Sequence, residues 1–342
     1  MGAYEIKHGD FRDPLTNAAE FTIARDASTA LTLHYGSLQI PQCEQKLFSY
    51  RHGFHAGNHA DVLKHCVLAA IFDHMTIKET GYWYVDTHAG AGLYDLRGDW
   101  ANKRGEYETG IARVWQADRR PLLVQQYVDI IQDLNGSNEL AIYPGSPWLA
   151  LYFARTQDRL RLFEWLEAEA QTLTDNLSQQ RRIPARSIKI EVNDGFTALK
   201  SVLPVPTRRA VTLIDPSYEN KQDYRAVVQT IREAMARFPT GCYVVWYPKV
   251  SRVQLTQMLR QLEHLPNVQW LNVEMTVSCA PTDGYGLFGS GLWVINPPHT
   301  LKKQLDQAMP WLTKLLALDS TAKWHVRASD QTKTTKSHQI RS

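Results

Sequence analysis

Tyr82-Trp83-Tyr84-Val85-Asp86-Thr87-His88-Ala89-Gly90-Ala91-Gly92 is the stretch on which the fold turns. Its bulky first half is too short for a helix and suits a buried strand ending at Asp86. The two glycines beyond it suit a backbone that turns tightly and approaches a ligand. Upstream, Asn58 precedes Asp61 and the apolar set Val62, Cys66, Val67, Ala70 and Ile71. That spacing predicts an N-capped amphipathic helix reaching about residue 79. Downstream, residues 99–145 carry helical spacing at Leu122, Leu123, Tyr127, Ile130, Ile131 and Leu134, with Pro121 at the start. Ser146-Pro147 reads as an N-cap and first turn, and strands are expected at 160–164, 188–192, 210–214, 242–247, 268–277 and 287–295. Helical stretches separate the earlier strands, which predicts an α/β fold with a mostly parallel sheet covered on both faces. The last two strands have no helix between them and are expected to pair antiparallel at one edge.

The chain has 342 residues, 44% of them hydrophobic, and ten tryptophans, which excludes a disordered or fibrous protein. That length holds one large α/β domain or two ordinary ones. No apolar run approaches the roughly 20 residues that span a bilayer, and no basic-then-apolar leader opens the chain. The four cysteines (Cys43, Cys66, Cys242, Cys279) lack CxxC spacing, so neither a zinc site nor a disulfide framework is expected, and a reducing cytoplasm fits. A net charge of +3 excludes only a strongly acidic protein. Residues 1–46 are turn-rich and read as an appendage, while 328–342 read as a disordered polar tail.

Four strand ends carry polar groups. Asp86-x-x-x-Gly90-x-Gly92 lacks the third glycine of a dinucleotide fingerprint, because Asp95 stands in its place. The spacing matches better the first loop of S-adenosylmethionine enzymes, although a plain strand-to-helix turn has the same spacing. Glu164 ends its strand where an acid accepts ribose hydroxyls in doubly wound folds; an exposed carboxylate without a role is the simpler alternative. The gap of 72 residues from Gly92 to Glu164 implies that the helical block 99–145 is an insertion. Asn193-Asp194-Gly195-Phe196 is either an adenine-amino acceptor or only a turn.

The sharpest signal is Ala210-Val211-Thr212-Leu213-Ile214-Asp215-Pro216-Ser217-Tyr218, a buried strand delivering Asp-Pro-x-aromatic to its C-terminal edge. A nucleobase amino group is a poor nucleophile because its lone pair is delocalised into the ring. A carboxylate and a backbone carbonyl can accept its two N–H bonds, and an aromatic ring can stack on the base. The competing reading is a solvent-side turn started by Pro216. Four histidines between His52 and His65 lack metal-ligand spacing, and with Arg51 and Lys64 they could equally meet phosphate or cap a helix. Basic residues cluster at 181–209 and 302–341, which permits RNA binding without establishing it.

Tyr50-Arg51-His52-x-Phe54-His55-Ala56-Gly57-Asn58-His59-Ala60-Asp61-Val62-Leu63-Lys64-His65, with Asp86–Gly92 and Tyr143-Pro144-Gly145-Ser146-Pro147, resembles the RlmJ family. These are bacterial 23S ribosomal RNA adenine-N6 methyltransferases, formerly labelled as proteins for catabolism of external DNA. The resemblance runs from about residue 47 to about residue 325. It implies a Rossmann-like class I methyltransferase fold with an inserted helical subdomain, a methyltransferase domain over 47–327, and S-adenosylmethionine as methyl donor with no metal. Cofactor contacts are implied for His65, His88, Ser146, Glu164, Asp194 and Gly195, beside the loop glycines Gly90 and Gly92. The resemblance implies Asp215 as the catalytic carboxylate with the Pro216 carbonyl beside it, Tyr218 as the stacking ring, and Lys64 and Tyr50 as residues meeting the substrate. One departure stands out: Ser217 replaces the second proline of the family's Asp-Pro-Pro-Tyr. Leu47 occupies the position of the family's initiator methionine, so 1–46 are expected to be dispensable.

The expected partner is 23S ribosomal RNA, naked or in an early assembly state, met by a cytoplasmic monomer. Two rivals remain. A DNA-uptake or DNA-utilisation factor is disfavoured by the lack of a nuclease-type carboxylate cluster. An inactive RNA-binding module would bind the cofactor without transferring a methyl group.

Overall fold

The computed structural model describes residues 52–98, 103, 105–136, 139–178, 180–282 and 286–329. The expectations for 1–46, for Tyr50 and for 330–342 lie outside these residues. Helix α1 (His59–Thr76) leads into β1 (Trp83–Asp86). A short hairpin of β2 (Leu93–Asp95) and β3 (Ile142–Pro144) brackets α2 (Ile111–Gln116) and α3 (Leu122–Asn135). Then follow α4 (Ser146–Phe153), β4 (Arg159–Glu164), α5 (Glu167–Ser178), β5 (Ile188–Val192), α6 (Gly195–Val202) and β6 (Ala210–Ile214). The chain continues through α7 (Asp223–Arg237), β7 (Cys242–Lys249), α8 (Val253–Glu263), β8 (Trp270–Thr276), β9 (Gly289–Ile295), α9 (Leu301–Leu316) and β10 (Lys323–Ala328).

Eight strands form one sheet in the order β10-β8-β9-β7-β6-β1-β4-β5. Neighbours from β7 to β5 are parallel, so their C-terminal ends share one edge. Strand β9 lies antiparallel between β7 and β8, as the missing helix led one to expect, and β10 adds a last antiparallel strand on β8. Helices α1, α3, α4, α5 and α9 bury one face of the sheet, and α6, α7 and α8 bury the other. This is the Rossmann-like methyltransferase arrangement, built because the apolar runs of β1, β6 and β7 suit strands covered on both sides.

Three expectations need correction. Helix α1 is not amphipathic: fourteen residues, from His59 to Phe72, are buried. It is enclosed by α3, α4, α9 and β9, and so carries its polar residues inside the protein. The block 99–145 is not purely helical. It leaves and rejoins the domain through the β2–β3 hairpin, in which Leu93 pairs with Pro144, so the insertion displaces little of the sheet. Order also extends past residue 327: β10 runs to Ala328, and the Ser329 N–H donates to the Trp270 carbonyl at 2.9 Å.

Candidate active site

The parallel register brings the ends of β1, β4, β5 and β6 side by side. Beyond β1 the chain stays attached to both neighbours: Thr87 N–H donates to the Leu213 carbonyl (3.1 Å) and Ala89 N–H to the Phe163 carbonyl (2.9 Å). The loop then turns through Gly90 (φ +60°) and Gly92 (φ +76°), conformations that side chains rarely adopt. Glu164 braces this turn, with Oε2 accepting from Gly90 N–H (2.9 Å) and Oε1 from Leu166 N–H (2.9 Å). Burial raises its carboxyl above the usual range. Each oxygen keeps a second lone pair for a hydroxyl donor.

Under the loop sits Asp86, wholly buried. It accepts from Tyr84 Oη (2.6 Å), Ser146 Oγ (2.6 Å) and the His88 N–H (3.2 Å). Burial lifts its carboxyl to about 6 although those donors favour its charge. Ser146 thus ties the start of α4 to the end of β1, and Gly145 N–H adds a bond to the Gly92 carbonyl (2.8 Å). The His88 ring sits edge-on to Phe196 at 4.9 Å and bonds Thr87 Oγ1 (2.8 Å), and burial pushes it down to about 4, leaving it neutral. Asp194 caps α6, accepting from Phe196 N–H (3.1 Å) and Thr197 Oγ1 (2.6 Å). Gly195 is there for lack of room: a Cβ would stand 1.9 Å from the Thr87 carbonyl oxygen.

Asp215 lies at the end of β6 and is tied to α1. Lys64 Nζ bonds Asp215 Oδ2 at 2.7 Å and Asp61 Oδ1 at 2.8 Å, and His52 Nε2 meets Asp61 Oδ2 at 3.0 Å. Burial alone would depress the Lys64 ammonium, but Asp215 and Asp61 outweigh it and hold the group above the ordinary lysine value. Burial likewise opposes charge on Asp61, yet His52 and Lys64 hold its carboxyl well below the usual range. Losing one partner of such a buried pair costs on the order of 3–5 kcal/mol. Lys64 engages only Oδ2, so Asp215 Oδ1 has no partner among the described residues.

Not every expected residue faces this edge. His65 is a core residue: its Nδ1 meets Tyr143 Oη (2.9 Å), Tyr143 in turn meets Tyr127 Oη (2.7 Å), and burial holds the ring down to about 3. Its Nε2 is buried without a partner, so the expected cofactor contact has no exposed surface here. Tyr218 is 1% exposed, and therefore offers no face to an incoming base. Its φ of +55° turns the ring inward against Tyr224 (4.6 Å), and its hydroxyl donates to the Trp246 carbonyl (2.7 Å). Pro216 is buried beside it, but no donor among the described residues reaches its carbonyl, which follows Asp215 at the strand end. The basic run 181–209 also proves partly internal. Arg209, just before β6 and thus at the opposite edge, donates to the carbonyls of Met75 (2.8 Å) and Thr80. Arginine near a helix C-terminus satisfies carbonyls there.

Two residues were missed. Trp165 follows Glu164 and Val192 pairs with it in register, and they are 59% and 56% exposed, apolar surface on either side of an acid. The available signal was a large apolar residue, Trp165, directly after a strand-end acid. Among the described residues, no group of three or more His, Cys, Asp or Glu is arranged to hold a metal ion, and no helix is long and apolar enough to cross a membrane.

Comparison with known proteins bears on this edge. The family model described as "Ribosomal RNA large subunit methyltransferase D, RlmJ" matches residues 79–328. "Ribosomal RNA large subunit methyltransferase J" of Escherichia coli is 43% identical over 266 residues, covering 78% of this chain and 93% of the relative. The protein of the same name from Haemophilus influenzae is 41% identical over 281 residues, covering 82% and 98%. A crystal structure of a Legionella pneumophila protein superposes with a TM-score of 0.73 at 33% identity, covering 81% of this chain and 99% of that one. With its glycine loop, Glu164 and the Lys64-bound Asp215 gathered at one sheet edge, this chain belongs to the RlmJ family of ribosomal RNA large subunit methyltransferases.

Proposed function

We propose that the protein transfers a methyl group from S-adenosylmethionine to N6 of one adenine in 23S ribosomal RNA. The observation that carries this reading is Asp215: its carboxylate is locked on one oxygen by Lys64 and has the other without a partner among the described residues, at the edge where Glu164 and the glycine loop meet. The residues fit the cofactor's parts. Gly90 and Gly92 offer backbone to its amino-acid end, and Glu164 keeps lone pairs for ribose hydroxyls. Trp165 and Val192 expose apolar surface that a purine would cover. Asp194 stands next along the edge. When bound, S-adenosylmethionine supplies an electrophilic methyl group.

The chain's own part is to hold the amine. Asp215 Oδ1 and the Pro216 carbonyl accept its two N–H bonds, which draws the nitrogen lone pair out of conjugation and aims it. Lys64 keeps the carboxylate from rotating. Such catalysis works by positioning and fixed electrostatics. Ser217 leaves the Pro216 carbonyl in place, so the enzyme is active on this reading.

The test uses labelled S-adenosylmethionine and deproteinised 23S RNA from a strain lacking the enzyme, followed by nucleoside analysis. Label in N6-methyladenosine is the expected result. Label in another nucleoside, or only in DNA, overturns the reading, and cofactor binding without transfer would mark an inactive binding module.

A further inference from the structure

The segment from Asp215 to Tyr218 must hold a carboxylate and a carbonyl in fixed relation, yet its backbone is unevenly restrained. Asp215 is held through its side chain by Lys64. Pro216 is locked at φ by its ring. Ser217 has neither restraint. Tyr218 adopts φ +55°, a left-handed conformation that residues with a Cβ avoid unless their surroundings enforce it.

Two of the groups that enforce it come from β7 and the turn that follows, and Asp223 at the start of α7 adds a bond to the Tyr218 N–H. Trp246 in β7 accepts the Tyr218 hydroxyl (2.7 Å) through its carbonyl. Arg252, three residues beyond β7, donates from Nη1 to the Tyr218 carbonyl oxygen (2.7 Å). Arg252 is itself fixed, because it is the N-cap of α8 and its N–H donates to the Val250 carbonyl (2.8 Å). Its guanidinium also lies close to the hydroxyl end of Tyr224, the residue whose ring packs on Tyr218. The hydroxyl bond fixes the end of the ring, whereas the guanidinium bond fixes the peptide plane itself. The second restrains the peptide plane that follows Tyr218, and with it the backbone by which the segment Asp215–Tyr218 leaves the site.

We propose that Arg252 is a positioning residue for methyl transfer, anchoring the Tyr218 carbonyl so that the Asp215–Pro216 acceptor pair keeps its geometry despite the unrestrained Ser217. The inference rests on the methyl-transfer reading. Arg252 touches neither cofactor nor substrate, so its loss acts on kcat while cofactor affinity stays put.

The test is a pair of substitutions in one cycle. Arg252→Ala is expected to lower kcat by about tenfold to a hundredfold, the range for a misplacement near 1 Å, with KM for RNA and affinity for S-adenosylmethionine unchanged. Arg252→Lys keeps one donor and recovers most of the rate. Ser217 lies outside the left-handed region, which is the first condition for a proline there. Ser217→Pro alone leaves kcat near the wild-type value, and added to Arg252→Ala it restores most of the loss. A thermal melt of each variant separates this repair from the general stabilisation that a proline gives through the unfolded chain. An equal loss in both backgrounds, or full activity of Arg252→Ala, overturns the proposal. Hydrogen exchange of amides 217–220 is read in parallel: faster in Arg252→Ala and slowed again by Ser217→Pro if the anchor is real, unchanged if it is not. That readout stands even if the wild-type chain methylates no RNA, in which case the functional reading alone falls.

Discussion

Replacing Gly195 by alanine tests the placement of the cofactor site most directly. The added Cβ would stand 1.9 Å from the Thr87 carbonyl oxygen and 2.6 Å from its carbon, both backbone atoms, where real contacts stay above 3.0 Å. The two segments must therefore part by about 1.1 Å, taking the difference of those distances. Thr87 cannot yield, since its N–H and its Oγ1 both bond the Leu213 carbonyl and Ala89 bonds Phe163. The Asp194–Gly195 turn moves instead, carrying the acid away from the glycine loop. Losing a hydrogen bond to that acid costs about 1.5–3 kcal/mol, tenfold to over a hundredfold in affinity, while the overpacking costs about 1–3 kcal/mol of stability. Isothermal titration with S-adenosylmethionine and a thermal melt separate the two effects. Gly136→Ala is the control: its φ is +60° with nothing within 4 Å, so it carries about 1 kcal/mol of strain far from the site. Wild-type affinity in Gly195→Ala, with a melting loss like that of Gly136→Ala, would refute the assignment.

Other outcomes follow from the same geometry. Asp215→Ala is expected to cut methyl transfer by at least about a hundredfold and leave cofactor affinity intact, because Lys64 keeps Asp61 as its partner; near-normal turnover would remove Asp215 from the mechanism. The histidines held neutral by burial, His65 at about 3 and His59 and His88 at about 4, bind fewer protons folded than unfolded. Their stabilisation is complete above pH 6.5 and is lost as pH falls through those values, on the order of 5 kcal/mol for His65 alone by pH 3. Asp86, raised to about 6, opposes this by about 3 kcal/mol between pH 6 and 4, so calorimetry should show a lower melting temperature at pH 5 than at 7.5. Deleting residues 1–46 should leave both methylation and cofactor affinity in place, and lost activity would show that the segment takes part.

Where the sequence was readable, one local cause acted alone. Strands β1 and β6 are mostly apolar runs that lead to an acid, Asp86 at the end of β1 and Asp215 just after β6, so their type and their functional ends could be read together. Strand β10 was missed because Lys323-Trp324-His325-Val326-Arg327-Ala328 is half exposed at the sheet's edge and has no apolar run. Hairpin β2–β3 is three residues a side, too short for any period to register. The residue types at the site were legible, but their orientations were not. Tyr218 turns inward through a torsion that Arg252 and Trp246 enforce, and neither is near it in sequence. Nor does composition show that Arg209 is engaged with main-chain carbonyls rather than available to phosphate.

The interposed strand β9 also dictates an order of assembly. Strand β8 pairs only with β9 and β10, both made after it, so it has no place in the sheet when it is synthesised. The parallel half is different: β1, β4, β5 and β6 have all their mutual partners once residue 214 has been made. The edge that carries Glu164, Asp194 and Asp215 can therefore form while nearly 130 residues are still to come. Strand β8, by contrast, waits as an unpaired apolar segment for the chain to return. In a family whose strands were laid down in spatial order, no such exposed interval would exist.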